Sequence, residues 1–313
     1  MKRVSGEFLS RLLWAVQQCN MAERSQEEVK SLLLAALDAK ELYVDMPDGN
    51  SLESSSGGRL PRQVSFDQGN LQRLNAMLPW GSFSSLGEGA LLGSPWSSAK
   101  RGNVAPMPDP LVGRLNAVLP LAGMSVLELG CFEGMHSLSL AQFAREVWAI
   151  DGRIENVIKS LVRVWVAGME QKIVLHLLDL ERGTLQGQLA ALGRSEPFDL
   201  IHHRGVLYHL SDPLGNLEQC AAMTRRHLYL HTQIASEAQA DVVLRHPTGE
   251  YAAFRYREPN PEFAPFAGIT AHAHWITRSG LEKFLRTLGF STIHVIAELQ
   301  ERNGLRLELI ASR

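Results

Sequence analysis

Five short apolar runs, separated by helical patterns, most strongly limit what this chain can fold into. The runs are SVLELG (125–130), REVWAID (145–151), IVLHLLDL (173–180), FDLIHHR (198–204) and HLYLHTQI (227–234). Candidate helices lie between them at 134–143, 154–167, about 184–192 and 213–224. Strands that alternate with helices form a parallel sheet with both faces covered. Right-handed crossovers make such a sheet doubly wound, so we predict an α/β, Rossmann-like fold.

The end of the chain departs from this alternation. TIHVIAEL and LRLELIAS are separated by QERNG, whose Asn303-Gly304 pair is a strong turn signal. Two strands joined by so short a turn are antiparallel. The sequence therefore predicts a seven-stranded, mostly parallel sheet over residues 110–313, with an antiparallel hairpin at its C-terminal end.

The rest of the chain divides into three parts by composition. Residues 1–45 show two stretches with apolar residues at helical spacing and are predicted as an N-terminal helical extension. Residues 46–109 begin rich in Gly, Ser and Pro and are predicted as a linker followed by an irregular capping segment. Residues 110–313 form the predicted α/β domain, with an insertion at 236–270 that we expect to act as a lid.

The charge balance is nearly neutral. Lys plus Arg number 31 and Asp plus Glu number 33, so there is no global field that would steer the chain to nucleic acid or to an anionic membrane. Cys19, Cys131 and Cys220 lie far apart without CxxC spacing, which argues against a disulfide framework or a zinc site and fits a reducing compartment. No run approaches the roughly 18 apolar residues of a membrane helix. We expect a cytoplasmic protein without membrane insertion; the sequence leaves its oligomeric state open.

A glycine loop follows the first strand, where ligands bind in a doubly wound sheet. A dinucleotide site needs three glycines to admit a pyrophosphate at the helix N-terminus. Here Phe132 stands between Gly130 and Gly134, and Glu133 adds negative charge, so we expect pyrophosphate to be disfavoured. S-adenosylmethionine carries no phosphate, and its positive sulfonium and amino groups suit an acidic neighbour such as Glu128.

Acids at the next two strand ends support the same cofactor. Asp151 ends the second run, where an acid accepts hydrogen bonds from ribose hydroxyls. A parallel sheet that ends in an antiparallel hairpin resembles the class I S-adenosylmethionine-dependent methyltransferases, and in that class a residue at the position of Asp179 contacts the adenine amino group. Each acid alone is equally compatible with a solvent-facing strand end. The predicted cofactor-binding residues are Glu128, Gly130, Cys131, Phe132, Gly134, His136, Asp151, Gly152, Asp179, Leu180 and Arg204.

Two of these residues have a structural alternative. Cys131 is predicted as a small buried residue of the turn rather than a catalytic thiol. Phe132 either covers one side of the ligand or packs in the core.

The stretch after the fourth strand is unusually polar and includes His202, His203, Arg204, Tyr208 and His209. Its GVLYH motif, and the G-x-H of the glycine loop, resemble the family that carboxymethylates the wobble uridine of tRNA. SFSSLGEGALLGSPWSSAKR, which contains Trp96, and WITRSGLEKFLRTLGF are similar to segments of that family as well. The resemblance covers about residues 78–290 and implies that Tyr208 lies near the reacting group.

One departure from that family concerns the donor. The family carries a lysine beside its first tryptophan that helps to hold the extra carboxylate of carboxy-adenosylmethionine. Here Trp80 is followed by Gly81 and Ser82, so we expect plain methyl transfer instead. The predicted catalytic residues are Tyr208 and His209, with His209 as general base if the acceptor is a hydroxyl. The alternative for His209 is a structural histidine bonded to the backbone.

The acceptor is less constrained. The insertion is rich in aromatic residues and arginines, and the predicted substrate-binding residues are Trp96, Arg255, Arg257 and His274. His272 and His274 share one face of a strand but lack a third ligand, so we expect no metal. We predict a methyltransferase for a small molecule, a sugar or a glycan. The alternatives are a tRNA (carboxy)methyltransferase, which would require scattered arginines to converge, and an inactive methyltransferase-like binding protein, which Phe132 leaves open.

Overall fold

The computed structural model describes residues 2–4, 43–45, 80–85, 91–93, 104–169, 171–258, 267–301 and 303–313. Two short antiparallel pairs precede the main domain: β1 (Lys2–Val4) with β2 (Tyr43–Asp45), and β3 (Phe83–Ser85) with β4 (Leu91–Gly93). The two predicted N-terminal helices, most of the predicted linker and Trp96 lie outside the described residues.

Seven strands form the central sheet: β5 (Ser125–Leu129), β6 (Glu146–Asp151), β7 (Ile173–Leu177), β8 (Phe198–Arg204), β9 (Thr224–Ile234), β13 (Thr292–Glu301) and β14 (Gly304–Ser312). Their order is β13-β14-β9-β8-β5-β6-β7. Neighbours from β7 to β9 are parallel, whereas β14 is antiparallel to both β9 and β13. The predicted seven-stranded sheet and its C-terminal hairpin are confirmed.

Six α-helices accompany the strands in the part of the chain from residue 104 onward that the structure describes: α1 (Pro110–Val118), α2 (Met135–Phe143), α3 (Ile154–Val166), α4 (Leu185–Ala191), α5 (Pro213–Ala222) and α6 (Arg278–Thr287). Their starts follow from local chemistry, because Asp109, Thr184, Asp212 and Thr277 each accept a hydrogen bond from a backbone N–H of the first turn. Within the described residues, no helix combines the length and apolarity needed to cross a bilayer.

The core consists of two layers, one on each face of the sheet. Leu127 and Leu129 of β5 belong to one buried cluster, whereas Val126 belongs to the other. This division follows from the alternation of side chains along a strand. All five residues of β5 are buried, as expected for a strand inside a sheet with both faces covered. Glu128 shares the face of Val126, and a charged side chain on a fully buried strand requires polar partners.

A second, three-stranded antiparallel sheet occupies most of the predicted lid. It contains β10 (Val242–His246), β11 (Gly249–Arg257) and β12 (His272–Ile276). Its described aromatic residues pack within the protein: Tyr251 lies 5.0 Å from Phe284 of α6, and Tyr256 stacks 4.5 Å from Trp275.

The two ends of this excursion are bonded neighbours. The backbone N–H of Ala235 donates to the carbonyl oxygen of Ile276 at 3.2 Å, and Ala235 forms a parallel bridge with Thr277. The chain therefore leaves the central sheet after β9 and returns to α6 at nearly the same place.

Candidate active site

The carboxyl ends of β5, β6, β7 and β8 open into a cavity of about 540 Å³. Every predicted cofactor-binding residue except Gly134 lines this cavity, and so do Tyr208 and His209. Further walls come from distant parts of the chain, namely residues 81–83, 105, 109, 267–269 and 306.

The glycine loop is held in a left-handed conformation. Gly130 has φ 67° and Phe132 has φ 50°, which is rare for a residue with a side chain. A Cβ at Gly130 would lie 2.3 Å from Cγ2 of Val206, so this position requires glycine for close approach. The backbone N–H of Phe132 donates to Oδ2 of Asp151, and its carbonyl accepts from the Ser160 hydroxyl, both at 2.9 Å. These bonds hold the Phe132 backbone in place, and the residue lines the cavity.

Gly134 serves packing rather than the cavity wall. It is the N-cap of α2 with φ 75°, and a Cβ there would lie 3.2 Å from atoms of Ser160 in α3. Glycine therefore lets α2 approach α3 closely. The Cys131 sulfur lies 3.5 Å from the same Ser160 hydroxyl. Burial raises the pKa of the Cys131 thiol well above its usual range, so the side chain stays neutral.

Glu133 corrects an expectation. The sequence suggested that its charge would face the ligand, but the side chain is completely buried and does not line the cavity. Its carboxylate accepts from the Gly81 backbone N–H at 2.6 Å and the Ser82 hydroxyl at 2.5 Å. It also lies 3.0 Å from Nζ of Lys159 and 3.7 Å from Nη2 of Arg163. This group, hereafter the Glu133 cluster, ties residues 81–82 to the glycine loop.

Asp151 and Asp179 lie at the part of the cavity formed by β6 and β7. Oδ1 of Asp151 accepts from the Arg153 backbone N–H at 2.9 Å and from Nδ2 of Asn156 at 3.1 Å. Burial raises the pKa of Asp151 to about 6. Strand β7 ends at Leu177, two residues before Asp179, which lies in the following turn and pairs with Arg182 at 3.3 Å. Each carboxylate retains acceptor sites for ligand hydroxyl or amino groups.

Two more acids line the cavity: Glu128 of β5 and Asp109, which immediately precedes α1. Glu128 is 2% exposed and accepts from the Ser137 hydroxyl at 2.5 Å. Burial raises its pKa to about 8 despite that bond and the Arg204 charge. Asp109, 3.5 Å from Nε2 of His136, also lines the cavity. Sequence reasoning missed Asp109 because its Asp-Pro pair was assigned to the capping segment; the pair is also a helix-start signal.

Arg204 places a positive charge among these groups. Its Nε donates to Nδ1 of His231 at 3.3 Å, and its Nη1 contacts His136. Within the described residues, Arg204 has no carboxylate within 4.0 Å and its Nη2 has no hydrogen-bond partner, although it feels the charge of Asp109. The guanidinium therefore retains donors for an anionic ligand group.

Tyr208 and His209 form a short helical turn (Leu207–His209) after β8. Nδ1 of His209 lies 2.7 Å from Oε1 of Glu258, a residue 49 positions later in the chain. The centroids of the Tyr208 and His209 rings lie 4.1 Å apart. Cζ of Arg306 lies 5.0 Å from the centroid of the Tyr208 ring. Sequence reasoning missed Glu258 and Arg306, because no local pattern links either residue to the fourth strand.

The three described residues of the predicted acceptor site do not line the cavity. Arg255 and Arg257 are exposed on β11, and Nδ1 of His274 lies 2.6 Å from the carbonyl oxygen of Ser211. His202 and His203 are buried in β8 rather than at its ligand-facing end. His203 bonds to Asn216 at 2.8 Å, and His202 stacks on Tyr229 at 5.0 Å.

Among the described residues, Glu128, His136 and His202 form a group whose potential ligand atoms lie within 4.8 Å of one another. The Arg204 guanidinium contacts His136 and places a positive charge beside this group, which disfavours a bound cation there.

A family described as a methyltransferase domain matches residues 107–295, more than half of the chain. The chain belongs to this methyltransferase domain family. S-adenosylmethionine is the cofactor of these enzymes, so the predicted cofactor and the predicted S-adenosylmethionine-dependent methyltransferase are confirmed.

Two similar curated proteins are tRNA U34 carboxymethyltransferases. The protein of Methylococcus capsulatus (Bath) is 31% identical over 170 residues, which cover 53% of this chain and 47% of that protein. The chain thus spans about half the length of that relative. The Vibrio campbellii protein is 26% identical over 263 residues, which cover 81% of this chain and 70% of its own.

A solved structure shares the fold of this methyltransferase. The N-terminal domain of EvdMO1, determined in the presence of SAH and D-fucose, is 24% identical with a TM-score of 0.61. The similarity covers 77% of this chain and 94% of that domain.

The side chains of the cavity fit S-adenosylmethionine. Glu128 and Asp109 suit the positive amino and sulfonium groups, Arg204 suits the carboxylate, and Asp151 and Asp179 suit hydroxyl and amino donors. When bound, this cofactor supplies an activated methyl group. The assignment of individual residues to its parts stays a prediction.

Proposed function

We propose that this methyltransferase transfers a methyl group to a small-molecule, sugar or glycan acceptor that enters the cavity beside Tyr208 and His209. The cavity contains both these residues and the predicted cofactor-binding residues. Its volume of about 540 Å³ is in the range of sites for small ligands. An in-line displacement depends mainly on alignment of donor and acceptor, which a shared cavity supplies.

The observation that carries this proposal is the dispersal of the arginines that a nucleic-acid face would need. Arg194 pairs with Glu146 at 3.2 Å, and Arg225 pairs with Asp199 at 3.1 Å. Both arginines lie by the amino ends of the parallel strands, at the edge of the sheet opposite the cavity. Arg226 is the third residue of β9 and lies near that same edge.

Four further described arginines do not complete a basic surface either. Arg245 pairs with Glu250 at 3.3 Å on the three-stranded sheet, and Arg204 lies in the cavity. The other two, Arg255 and Arg257, are neighbours on one face of β11. Phosphate backbones are bound by continuous basic surfaces, so this distribution favours an acceptor other than nucleic acid.

Plain S-adenosylmethionine is the proposed donor. Gly81 and Ser82 line the cavity at the position where the carboxymethyltransferase family has its lysine. Arg153, Arg204 and Arg306 are cavity cations that a carboxylated donor would meet instead, so the donor must be tested directly.

A tRNA (carboxy)methyltransferase is the second candidate, and two observations favour it. The curated relatives that match most of the chain are tRNA U34 carboxymethyltransferases. In addition, Arg255 lies directly across from His274, and Arg257 across from His272, so four basic side chains share one face of the three-stranded sheet.

Product formation and binding separate these candidates. The full chain is incubated with methyl-labelled S-adenosylmethionine and, in turn, D-fucose, other monosaccharides, a panel of small hydroxyl compounds and bulk tRNA. We expect label on a small acceptor and none on tRNA. Labelling of tRNA, together with tRNA retention that falls about 10³-fold or more between about 50 and 200 mM salt, would replace the first candidate with the second.

A further inference from the structure

We propose that Glu258 is a positioning residue that makes His209 the proton acceptor of the reaction, so that the methylated atom is a hydroxyl oxygen. This inference rests on the proposed function and specifies the acceptor atom. It starts from the contact between His209 and Glu258, which the sequence did not indicate.

The two side chains differ in their exposure to the cavity. The Glu258 side chain is 1% exposed, whereas that of His209 is 19% exposed and lines the cavity. In the described part of the chain, His209 is the one hydrogen-bond partner of the Glu258 carboxylate. A buried carboxylate with a single partner depends on that partner, and it orients the imidazole in return.

The surroundings hold this contact in place. The Glu258 backbone N–H donates to the carbonyl oxygen of Ala271 at 3.0 Å, and that of His209 donates to Val206 at 2.8 Å. A Cβ at Gly268 would lie 2.6 Å from the His209 carbonyl oxygen and 3.3 Å from the Glu258 carboxyl carbon. Gly268 therefore lets the segment after β11 pack closely over both residues.

The contact selects one form of the imidazole. A carboxylate is only an acceptor, so Nδ1 of His209 must carry the proton that it donates to Glu258. In neutral histidine the second nitrogen, Nε2, is then the one with the lone pair. No described group bonds to Nε2, and the partial exposure of His209 leaves that atom available to a ligand in the cavity.

This geometry defines a balanced reaction. The acceptor oxygen forms a bond to the methyl carbon as the carbon–sulfur bond of the donor breaks, and the sulfur keeps that electron pair. The hydroxyl proton passes to Nε2 of His209. Glu258 remains ionised and stabilises the imidazolium, as the acid does in a Ser-His-Asp triad. The proton leaves to solvent after product release.

Nitrogen NMR of the full chain tests the tautomer without any acceptor. The protein is labelled with ¹⁵N-histidine, and the His209 signals are assigned by their loss in His209→Gln. We expect Nδ1–H and an unprotonated Nε2 at neutral pH. A wild-type His209 that carries its proton on Nε2 would overturn the proposal.

Glu258→Gln tests the role of the carboxylate. A glutamine amide can donate to Nδ1, which moves the imidazole proton to Nε2 and blocks the base. We expect that tautomer change in NMR and a fall in kcat of about 10²–10⁴-fold on the acceptor found by labelling. The rate of the variant should continue to rise with pH where that of the wild type levels off, because ionisation of the acceptor replaces the base.

Glu250→Gln is the matched control, because Glu250 lies on β11, the strand that ends one residue before Glu258, and its side chain is 65% exposed. It should leave the tautomer, the pH profile and kcat unchanged. If Glu258→Gln keeps kcat within about 3-fold of the wild type, Glu258 has only a structural role.

The products of the labelling experiment keep the two proposals separate. Failure of the wild type to transfer methyl to any small acceptor defeats the proposed function but leaves the tautomer result intact. A methylated nitrogen or carbon in the product defeats this inference while the proposed function stands.

Discussion

Removal of the Glu133 carboxylate is the sharpest test of how the cofactor loop is supported. Lys159 and Arg163 approach this carboxylate from α3 with side chains that are 2% and 0% exposed. In Glu133→Ala both positive charges stay buried and lose their shared anion. Breaking a buried ion pair from one side costs about 3–5 kcal/mol, because the remaining charge cannot be solvated. Solvent does not screen these charges, because the three side chains are 0–2% exposed.

The expected loss is large for a domain of this size. At about 2–4 °C per kcal/mol, a destabilisation of about 3–5 kcal/mol lowers Tm by roughly 6–20 °C. Urea unfolding followed by circular dichroism gives the free energy, and calorimetry gives Tm. Glu196→Ala is the control, since Glu196 is exposed and its side chain makes no described ion pair. It should change stability by less than about 0.5 kcal/mol.

A compensating variant checks the cause. Replacement of a buried ion group by apolar residues of similar size is often neutral or stabilising. Glu133→Ala combined with Arg163→Met should therefore be more stable than Glu133→Ala alone. If Glu133→Ala stays within about 1 kcal/mol of the wild type, or if the second change destabilises further, charge burial is not what holds this cluster together.

Three further perturbations test the cavity. Gly130→Ala forces a side chain to φ 67° and into Val206, so we expect a loss of about 1–3 kcal/mol in urea unfolding and weaker S-adenosylmethionine binding; an unchanged stability would contradict the loop geometry. Because the pKa of Glu128 is raised from 4.5 to about 8, the folded state holds an extra proton between those values. Stability of the ligand-free protein should therefore fall as pH rises from about 4.5 to about 8, by an amount on the order of 5 kcal/mol at most, and Glu128→Gln should flatten that slope in pH-dependent unfolding. Arg204→Met should weaken S-adenosylmethionine binding about 10–100-fold in calorimetry while the fold is retained, since a charge-assisted hydrogen bond contributes about 1.5–3 kcal/mol; an unchanged affinity would free Arg204 for another ligand.

The sheet could be predicted because its signals are local. Apolar runs and helical spacing identify β5 to β9, and the Asn303-Gly304 turn predicts the antiparallel end. The cavity residues of the strand ends followed from the same topology, because the carboxyl ends of parallel strands lie at one edge. The end of β7 was placed too late, because LLDL continues its apolar run beyond Leu177, and β9 begins at Thr224, three residues before the predicted run.

The direction in which loop side chains point was harder to predict from the sequence. Glu133 was expected to face the ligand, but its partners, Lys159 and Arg163, are spaced four apart on a helix and turn it inward. That spacing is visible in the sequence, yet its match with an acid in the preceding loop is not. Glu258 was missed for a similar reason: its role depends on a contact 49 residues away that only the folded three-stranded sheet creates.

The hydrogen bond and bridge that join the two ends of the segment carrying the three-stranded sheet have an evolutionary consequence. Because Ala235 and Thr277 are adjacent, residues 236–276 form a cassette whose two ends fit one fixed joint. Such a cassette can be lengthened, shortened or exchanged between related enzymes without a change in strand order. Its contribution to the cavity wall, residues 267–269, and the carboxylate of Glu258 beside His209 would be replaced together, whereas the glycine loop and the acids at the strand ends would remain. Enzymes built in this way can acquire new acceptors by recombination at a single joint while they retain their donor.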